Sequence, residues 1–124
     1  MKKAQKRIVW AIVTIAIASG VGFLVYMNAQ PGKYDALAKC VAEKETIFYG
    51  AYWCPACNQQ KAMFGKSAQY LPYVECSLPG GNGQNDTCIV AKIEAYPTWQ
   101  FANGERLTGV LSTEELAAKT SCEI

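Results

Sequence analysis

Two cysteines separated by two residues, Cys54 and Cys57, are the part of this sequence best suited to covalent chemistry. The segment before them, residues 46–52, is rich in aromatic and β-branched side chains, which predicts a buried strand. Pro55 suits the first position of a helix, so the pair is predicted to lie where a strand ends and a helix begins. Unpaired backbone N–H groups and the positive end of the helix dipole meet at such a junction and favour a thiolate at Cys54.

One helical turn separates the two thiols, so Cys57 can attack a mixed disulfide on Cys54 and release a bound thiol. Cys54 is therefore the predicted attacking cysteine and Cys57 the resolving one. Half of a zinc site and a purely structural disulfide are the alternative interpretations. The sequence has no histidine and no second C-x-x-C, and both facts favour redox chemistry. Neither a metal nor a cofactor is predicted.

The other patterns predict the elements that position this pair. Asn103-Gly104 indicates a β-hairpin, and Ser112 with Glu115 forms a capping box at the start of a helix. Their order predicts an α/β fold, in which a mixed central sheet is flanked by helices. The predicted elements are helices at about 34–44, 54–64 and 86–93, strands at 46–52, 73–76, 98–102 and 106–108, and a last helix after 112.

A long apolar segment precedes this part of the chain. Residues 8–27 contain no charged residue, and about 20 apolar residues at about 1.5 Å each match a hydrocarbon core of about 30 Å. Basic residues cluster in 1–7, which predicts a cytoplasmic tail at 1–7, a transmembrane anchor at 8–27 and a domain outside the cytoplasm. A cleaved signal peptide is the alternative, because residues 16–18 (A-I-A) have the form of a cleavage site. The apolar run continues beyond them and favours the anchor.

The remainder divides into a linker at 28–33 and one domain at 34–124. Four of the 12 basic residues lie in 1–7, which leaves eight against ten acidic residues, and this balance does not suggest a nucleic-acid surface. All six cysteines lie in the domain. In an exported domain of this size, that even number predicts disulfides.

Two motifs resemble those of a known superfamily. Residues 53–57 (W-C-P-A-C) resemble the W-C-x-x-C active site of the thioredoxin superfamily, and residues 96–98 (Y-P-T) resemble its cis-proline loop. An ordinary proline at the start of a strand is the alternative for Pro97, since only about 5–6% of X–Pro bonds are cis. The resemblance implies a thioredoxin-like fold. It also implies that the active site is supported by Trp53, Pro55 and Ala56 and that substrate is bound by Tyr96 and Pro97.

A closer resemblance covers most of the domain. Residues 48–55, 60–65, 72–76 and 96–99 resemble the thioredoxin-like domain that is fused to, or partnered with, bacterial vitamin K epoxide reductase homologues. In that family a membrane enzyme reoxidises the domain with a quinone, and the domain passes its disulfide to exported proteins. The resemblance implies exported cysteine-containing proteins as substrates and a quinone-linked membrane oxidoreductase of that type as partner. The family's four-helix membrane bundle is not in this sequence, so the domain would act with a separate partner or with none.

Two departures from these families bear on the direction of electron flow. Ala56 stands where the family usually has a histidine, which stabilises the thiolate in strongly oxidising relatives. Phe48 stands where thioredoxin has a buried acid that assists proton transfer from the second cysteine. Ala56 thus favours a milder oxidant, and Phe48 weakens the case for a thioredoxin-type reductase. A disulfide reductase or isomerase is the second candidate function, and a non-catalytic binding module on the same fold is a third. Glu94, before the proline loop, is expected to be a solvated surface acid.

The remaining four cysteines are candidates for structural disulfides. A bond between Cys76 and Cys88 would close the glycine-rich loop at 79–86 and stabilise the fold by about 3 kcal/mol. The resembling family has a cysteine pair in this region, which is either structural or relays electrons to Cys54 and Cys57. Cys40 and Cys122 would then pair by elimination. Because six cysteines allow many connectivities, this pairing is a hypothesis.

Overall fold

The computed structural model describes residues 2–124, which form two separate units with a boundary after Pro31. The first unit is helix α1 (Lys2–Ala29), and none of its described side chains is buried. By length and composition α1 is long and apolar enough to cross a membrane, a property that a signal sequence shares. It begins before residue 8 because lysine, arginine, glutamine and alanine all favour a helix. The division into tail, anchor and linker stays a prediction.

The second unit, Gly32–Ile124, carries both cysteines of the C-x-x-C. Each predicted helix and strand is present, with ends that differ by a few residues. In chain order the elements are α2 (Asp35–Glu43), β1 (Ile47–Gly50), α3 (Pro55–Phe64), a 3₁₀ segment (Gly65–Tyr70), β2 (Tyr73–Glu75), a 3₁₀ turn (Pro79–Gly81), α4 (Asp86–Val90), β3 (Thr98–Gln100), β4 (Arg106–Thr108) and α5 (Thr113–Thr120).

The strands form a mixed sheet in the order β2-β1-β3-β4. β1 pairs in parallel with β2, and α3 makes the connection between them. β3 pairs antiparallel with β1 and with β4, so a β-hairpin completes the sheet. The predicted α/β fold, a mixed sheet flanked by helices, is confirmed.

The core lies between this sheet and the helices. Phe48 of β1 is fully buried and stacks on Trp99 of β3, with ring centroids 4.5 Å apart and planes 9° apart. Leu37 of α2, Phe64 of α3 and Leu116 of α5 belong to the same cluster. Phe48, at the position where thioredoxin has a buried acid, is therefore a packing residue in this chain.

The hydrogen bonds at the element ends explain most differences from the predicted bounds. β1 ends at Gly50 because the backbone N–H of Tyr52 donates to the carboxylate of Glu75 at 3.2 Å and leaves the ladder. α4 ends at Val90, and two residues later Lys92 has a φ of +56°, which a continuing helix does not allow. The 3₁₀ segment after Gly65 has no local sequence signal and was not predicted.

Helix caps were predicted with mixed success. In the capping box of α5, Ser112 Oγ accepts from the Glu115 N–H at 3.1 Å, and Glu115 Oε2 accepts from the Ser112 N–H at 2.7 Å. For α4 the sequence predicts Asp86 or Thr87 as the N-cap, and this prediction is wrong. Asn85 is the N-cap, because its side-chain oxygen accepts from the Cys88 N–H at 3.1 Å.

Candidate active site

The C-x-x-C lies at the junction of strand and helix that the sequence predicts. Cys54 is the N-cap of α3 and has an extended backbone, and Pro55 is the first residue of the helix. The Cys57 backbone N–H donates to Cys54 Sγ at 3.2 Å, so sulfur takes the place of the oxygen in an ordinary cap. The Cys54 sulfur thus lies at the positive end of the helix, beside this N–H group.

The two thiols differ in access. Cys54 is 5% exposed and Cys57 is completely buried, and both are free thiols, so the structure represents the reduced form of the pair. Tyr52 and Trp53, directly before Cys54, are each about half exposed. Cys54 thus keeps a small exposed fraction, whereas Cys57 keeps none.

Cys57 lies in a tight apolar site. A methyl group on Gly50 would come within 3.0 Å of Cys57 Sγ and within 2.8 Å of Cε2 of the Tyr73 ring, so only glycine fits at position 50. Burial, followed by a hydrogen bond with the Cys54 thiol, raises the pKa of Cys57 to about 12. Cys57 is consequently a neutral thiol at physiological pH, and any mechanism must explain how it ionises.

A polar cluster on β2 lies beside this buried thiol. The Tyr73 hydroxyl donates to Glu75 Oε2 at 2.7 Å, and the Lys61 ammonium lies 3.3 Å from the centroid of the Tyr73 ring. Glu75 Oε1 accepts from the backbone N–H groups of Tyr52 at 3.2 Å and Ser77 at 2.8 Å. Burial, and then the Glu75 carboxylate, raises the pKa of Tyr73 above its ordinary value.

No local pattern in the sequence predicts this cluster. Tyr73 and Glu75 are two apart on a strand and so share a face, but no local signal shows which face meets the cysteines. That depends on the parallel register, in which Glu75 lies opposite Gly50. Glu94, which was expected to be a surface acid, is exposed.

The predicted aromatic residues meet on one side of Cys54. The Trp53 ring lies edge-on to the Tyr96 ring, with centroids 6.0 Å apart, and Trp53 Nε1 donates to Ser77 Oγ at 2.9 Å. The Tyr96–Pro97 peptide bond is cis, and Pro97 is fully buried. Tyr96 thus lies beside the cysteine pair, next to Trp53. Its hydroxyl accepts from Gln84 Nε2 at 2.7 Å, which links it to the glycine-rich loop.

The glycine-rich loop also approaches Trp53 and Tyr52. A Cβ atom added to Gly81 would lie 3.5 Å from Trp53 Cδ1 and 3.4 Å from the Tyr52 hydroxyl, so a methyl group would just fill the space between them. The sequence predicts this loop only as a connection between elements.

The structure pairs the remaining cysteines as hypothesised. Cys76 and Cys88 form a disulfide that closes the loop, and both residues are fully buried. Cys40 of α2 forms a disulfide with Cys122, which follows α5, so residues 82 positions apart are joined. The bonds hold the loop and the two ends of the domain in place, and neither includes Cys54 or Cys57.

A parallel β1–α3–β2 crossover followed by the antiparallel β3–β4 hairpin, with C-x-x-C at the start of α3, defines a thioredoxin-like domain. Over 89 residues the chain is 42% identical to the thiol-disulfide oxidoreductase LTO1 of Arabidopsis thaliana. The match covers 68% of this chain and 23% of LTO1, so the chain spans about a quarter of the length of that relative. The similarity supports a thiol-disulfide redox function.

A solved structure is also similar in sequence. Oxidised glutaredoxin 2 from Chlamydomonas reinhardtii is 26% identical, and the match covers 73% of this chain and 87% of that chain with a TM-score of 0.35. No protein-family model matches the chain.

Proposed function

We propose that this protein is a membrane-anchored thiol-disulfide oxidoreductase that introduces disulfides into exported proteins. The observation that carries the proposal is a pair of free thiols at the start of α3, of which Cys54 keeps a small exposed fraction and Cys57 keeps none. The backbone N–H of Cys57 donates to Cys54 Sγ and would stabilise a thiolate there. The similarity to LTO1, a thiol-disulfide oxidoreductase, agrees with this use of the pair.

The reaction begins with a disulfide between Cys54 and Cys57. A substrate thiolate attacks Cys54 Sγ, the Cys54–Cys57 bond breaks, and Cys57 leaves as a thiolate that takes a proton from solvent. A second substrate thiolate then attacks the substrate sulfur of the mixed disulfide. The substrate departs with its own disulfide, and two electrons remain on the cysteine pair. In the reverse direction Cys54 attacks and Cys57 resolves.

The substrate would bind at the aromatic side chains near Cys54, which are Trp53, Tyr52 and Tyr96. Trp53 and Tyr52 are about half exposed beside Cys54, and aromatic side chains bind apolar segments of many sequences. Tyr96 and Pro97 would contact the substrate backbone, as the resemblance to the thioredoxin superfamily implies. Exported proteins in an unfolded state, with their cysteines accessible, are the substrates that fit such a surface.

The reduced pair must be reoxidised by another protein. The resemblance to domains that work with vitamin K epoxide reductase homologues supports a quinone-linked membrane oxidoreductase of that type. Helix α1, with its cluster of basic residues before the apolar run, supports a single membrane span with the domain outside the cytoplasm. An anchor would keep the domain near such a partner.

Oxidative refolding of a reduced protein tests the proposal. The oxidised chain should form disulfides in the substrate in stoichiometric amounts, and Cys54→Ser should abolish this activity. Cys57→Ala should accumulate a mixed disulfide on Cys54, because the resolving thiol is absent. Full activity of Cys54→Ser would contradict the proposed role of Cys54, and no activity of the oxidised wild-type chain would indicate a non-catalytic binding module.

A further inference from the structure

We propose that Lys61 is a positioning residue that stabilises the Cys57 thiolate, and that Tyr73 and Glu75 hold it in place. The inference rests on the proposed function, because Cys57 becomes a thiolate only if the pair exchanges disulfides. It identifies a part of the machinery that the C-x-x-C motif does not contain.

The chemistry requires an ionised Cys57 in both directions. Cys57 leaves as a thiolate when a substrate attacks Cys54, and it must be a thiolate to resolve a mixed disulfide on Cys54. Complete burial opposes this charge. The Phe48 side chain, which is stacked on Trp99, has no group that could accept a proton. A group outside β1 must therefore stabilise the Cys57 thiolate.

Lys61 lies in a position to stabilise this thiolate. It follows Cys57 by one turn on α3, and residues four apart lie on the same helix face. Its ammonium lies over the Tyr73 ring, 3.3 Å from the centroid. A Cβ atom added to Gly50 would lie 2.8 Å from Cε2 of that ring and 3.0 Å from Cys57 Sγ, so the ring edge and the sulfur are close neighbours. Sulfur, ring and ammonium thus form one contiguous cluster, in which the charge of Lys61 lowers the pKa of Cys57 against the effect of burial.

Tyr73 and Glu75 fix the position of this cation. The Tyr73 hydroxyl donates to Glu75, and the carboxylate is itself held by the N–H groups of Tyr52 and Ser77. These hydrogen bonds fix the Tyr73 ring through its hydroxyl, and the face of the ring attracts the Lys61 ammonium. The charge of Glu75 opposes a thiolate, but three hydrogen bonds hold that carboxylate at the far end of the Tyr73 ring.

The titratable groups that face Cys57 in residues 2–124 are therefore few. They are Cys54 and Lys61 on its own helix and Tyr73 on β2, with Glu75 behind the hydroxyl. Lys61 is the cation of this set. When Cys57 ionises, its proton passes to solvent, and the ammonium keeps its own proton and acts through its charge.

Reaction with the aromatic disulfide dithiobis-nitrobenzoate separates the attack by Cys57 from the attack by Cys54. The reduced full chain in detergent should release one coloured thiolate when Cys54 attacks, in a phase that depends on reagent concentration. A second thiolate is released when Cys57 attacks the mixed disulfide, in a phase that does not depend on it. We expect Lys61→Met to slow this second phase about threefold to tenfold near neutral pH, because the Cys57 thiolate loses the nearby positive charge.

Matched variants separate charge from packing. Lys61→Arg should restore the wild-type rate of the second phase, because arginine keeps the positive charge. Lys39→Met removes a comparable lysine from the face of Tyr70, 4.3 Å from the centroid, and should change neither phase. An unchanged second phase in Lys61→Met, or an equal slowing in Lys61→Arg, would overturn the inference. Absence of the second phase in the wild-type chain would instead contradict the proposed function.

Discussion

The indole nitrogen of Trp53 donates a hydrogen bond to the hydroxyl oxygen of Ser77, 2.9 Å away, and so ties the residue before Cys54 to the segment between β2 and the glycine-rich loop. Ser77→Ala should free this indole, at a cost of about 1 kcal/mol in stability. The predicted result is faster hydrogen exchange of the Trp53 indole N–H, measured by NMR. The Trp99 indole, buried in the core, is an internal control that should not change. Equal exchange of Trp53 in both proteins would show that Ser77 does not restrain it.

Gln60, on the face of α3 away from solvent, supports the site from inside. Its amide nitrogen donates to the Leu111 carbonyl at 2.9 Å, and its amide oxygen accepts from the Leu111 N–H at 2.8 Å. Gln60→Leu would leave both backbone groups buried without partners, so we expect a loss of about 2–4 kcal/mol in urea unfolding. Gln69→Leu, at an exposed glutamine, should change stability by less than about 0.5 kcal/mol. Similar losses in the two variants would contradict this role of Gln60.

The Cys76–Cys88 disulfide allows a test of its structural role against an electron relay. A double alanine variant should lose about 3 kcal/mol, because the loop is no longer closed in the unfolded chain. Its Cys54–Cys57 pair should still oxidise a small dithiol at the wild-type rate. If the proposed membrane partner reoxidises the wild-type chain but not the variant, although the variant remains folded, the disulfide relays electrons and the structural interpretation is wrong.

The raised pKa of Cys57 predicts how the stability of the reduced form varies with pH. The folded chain holds the thiol proton to a pKa of about 12, whereas an unfolded cysteine loses it near 9. Above pH 9 the unfolded state therefore binds fewer protons, and the stability of the reduced form should fall as pH rises. The oxidised form has no thiol at this position. Urea unfolding of both forms between pH 7 and 10 should show a steeper fall for the reduced form, and parallel curves would contradict the prediction.

Much of this fold follows from local signals in the sequence. Asn103-Gly104 predicts the hairpin because a tight turn needs a residue with positive φ, and Gly104 has a φ of +84°. Ser112 and Glu115 predict the start of α5 because their side chains satisfy the unpaired N–H groups of the first turn. Such pairs are close in the chain, so the sequence alone contains the interaction.

The surroundings of Cys57 could not be predicted in the same way. Lys61 and Tyr73 meet only because β1 and β2 pair in a particular register, which brings Tyr73 opposite Phe48. The N-cap predicted for α4 was wrong for a related reason. Asn85 also donates from its side chain to the Glu75 carbonyl, and this contact between distant residues favours Asn85 over Asp86. Tertiary contacts decide between local alternatives of similar energy.

The reduction potential of the Cys54–Cys57 pair tests the central claim most directly. It is measured by equilibrating the full chain with glutathione redox buffers and determining the fraction of oxidised pair. An oxidant of exported proteins should have a potential clearly less negative than the value of about −270 mV for thioredoxin. A value near or below −270 mV would contradict the oxidant role and indicate a disulfide reductase.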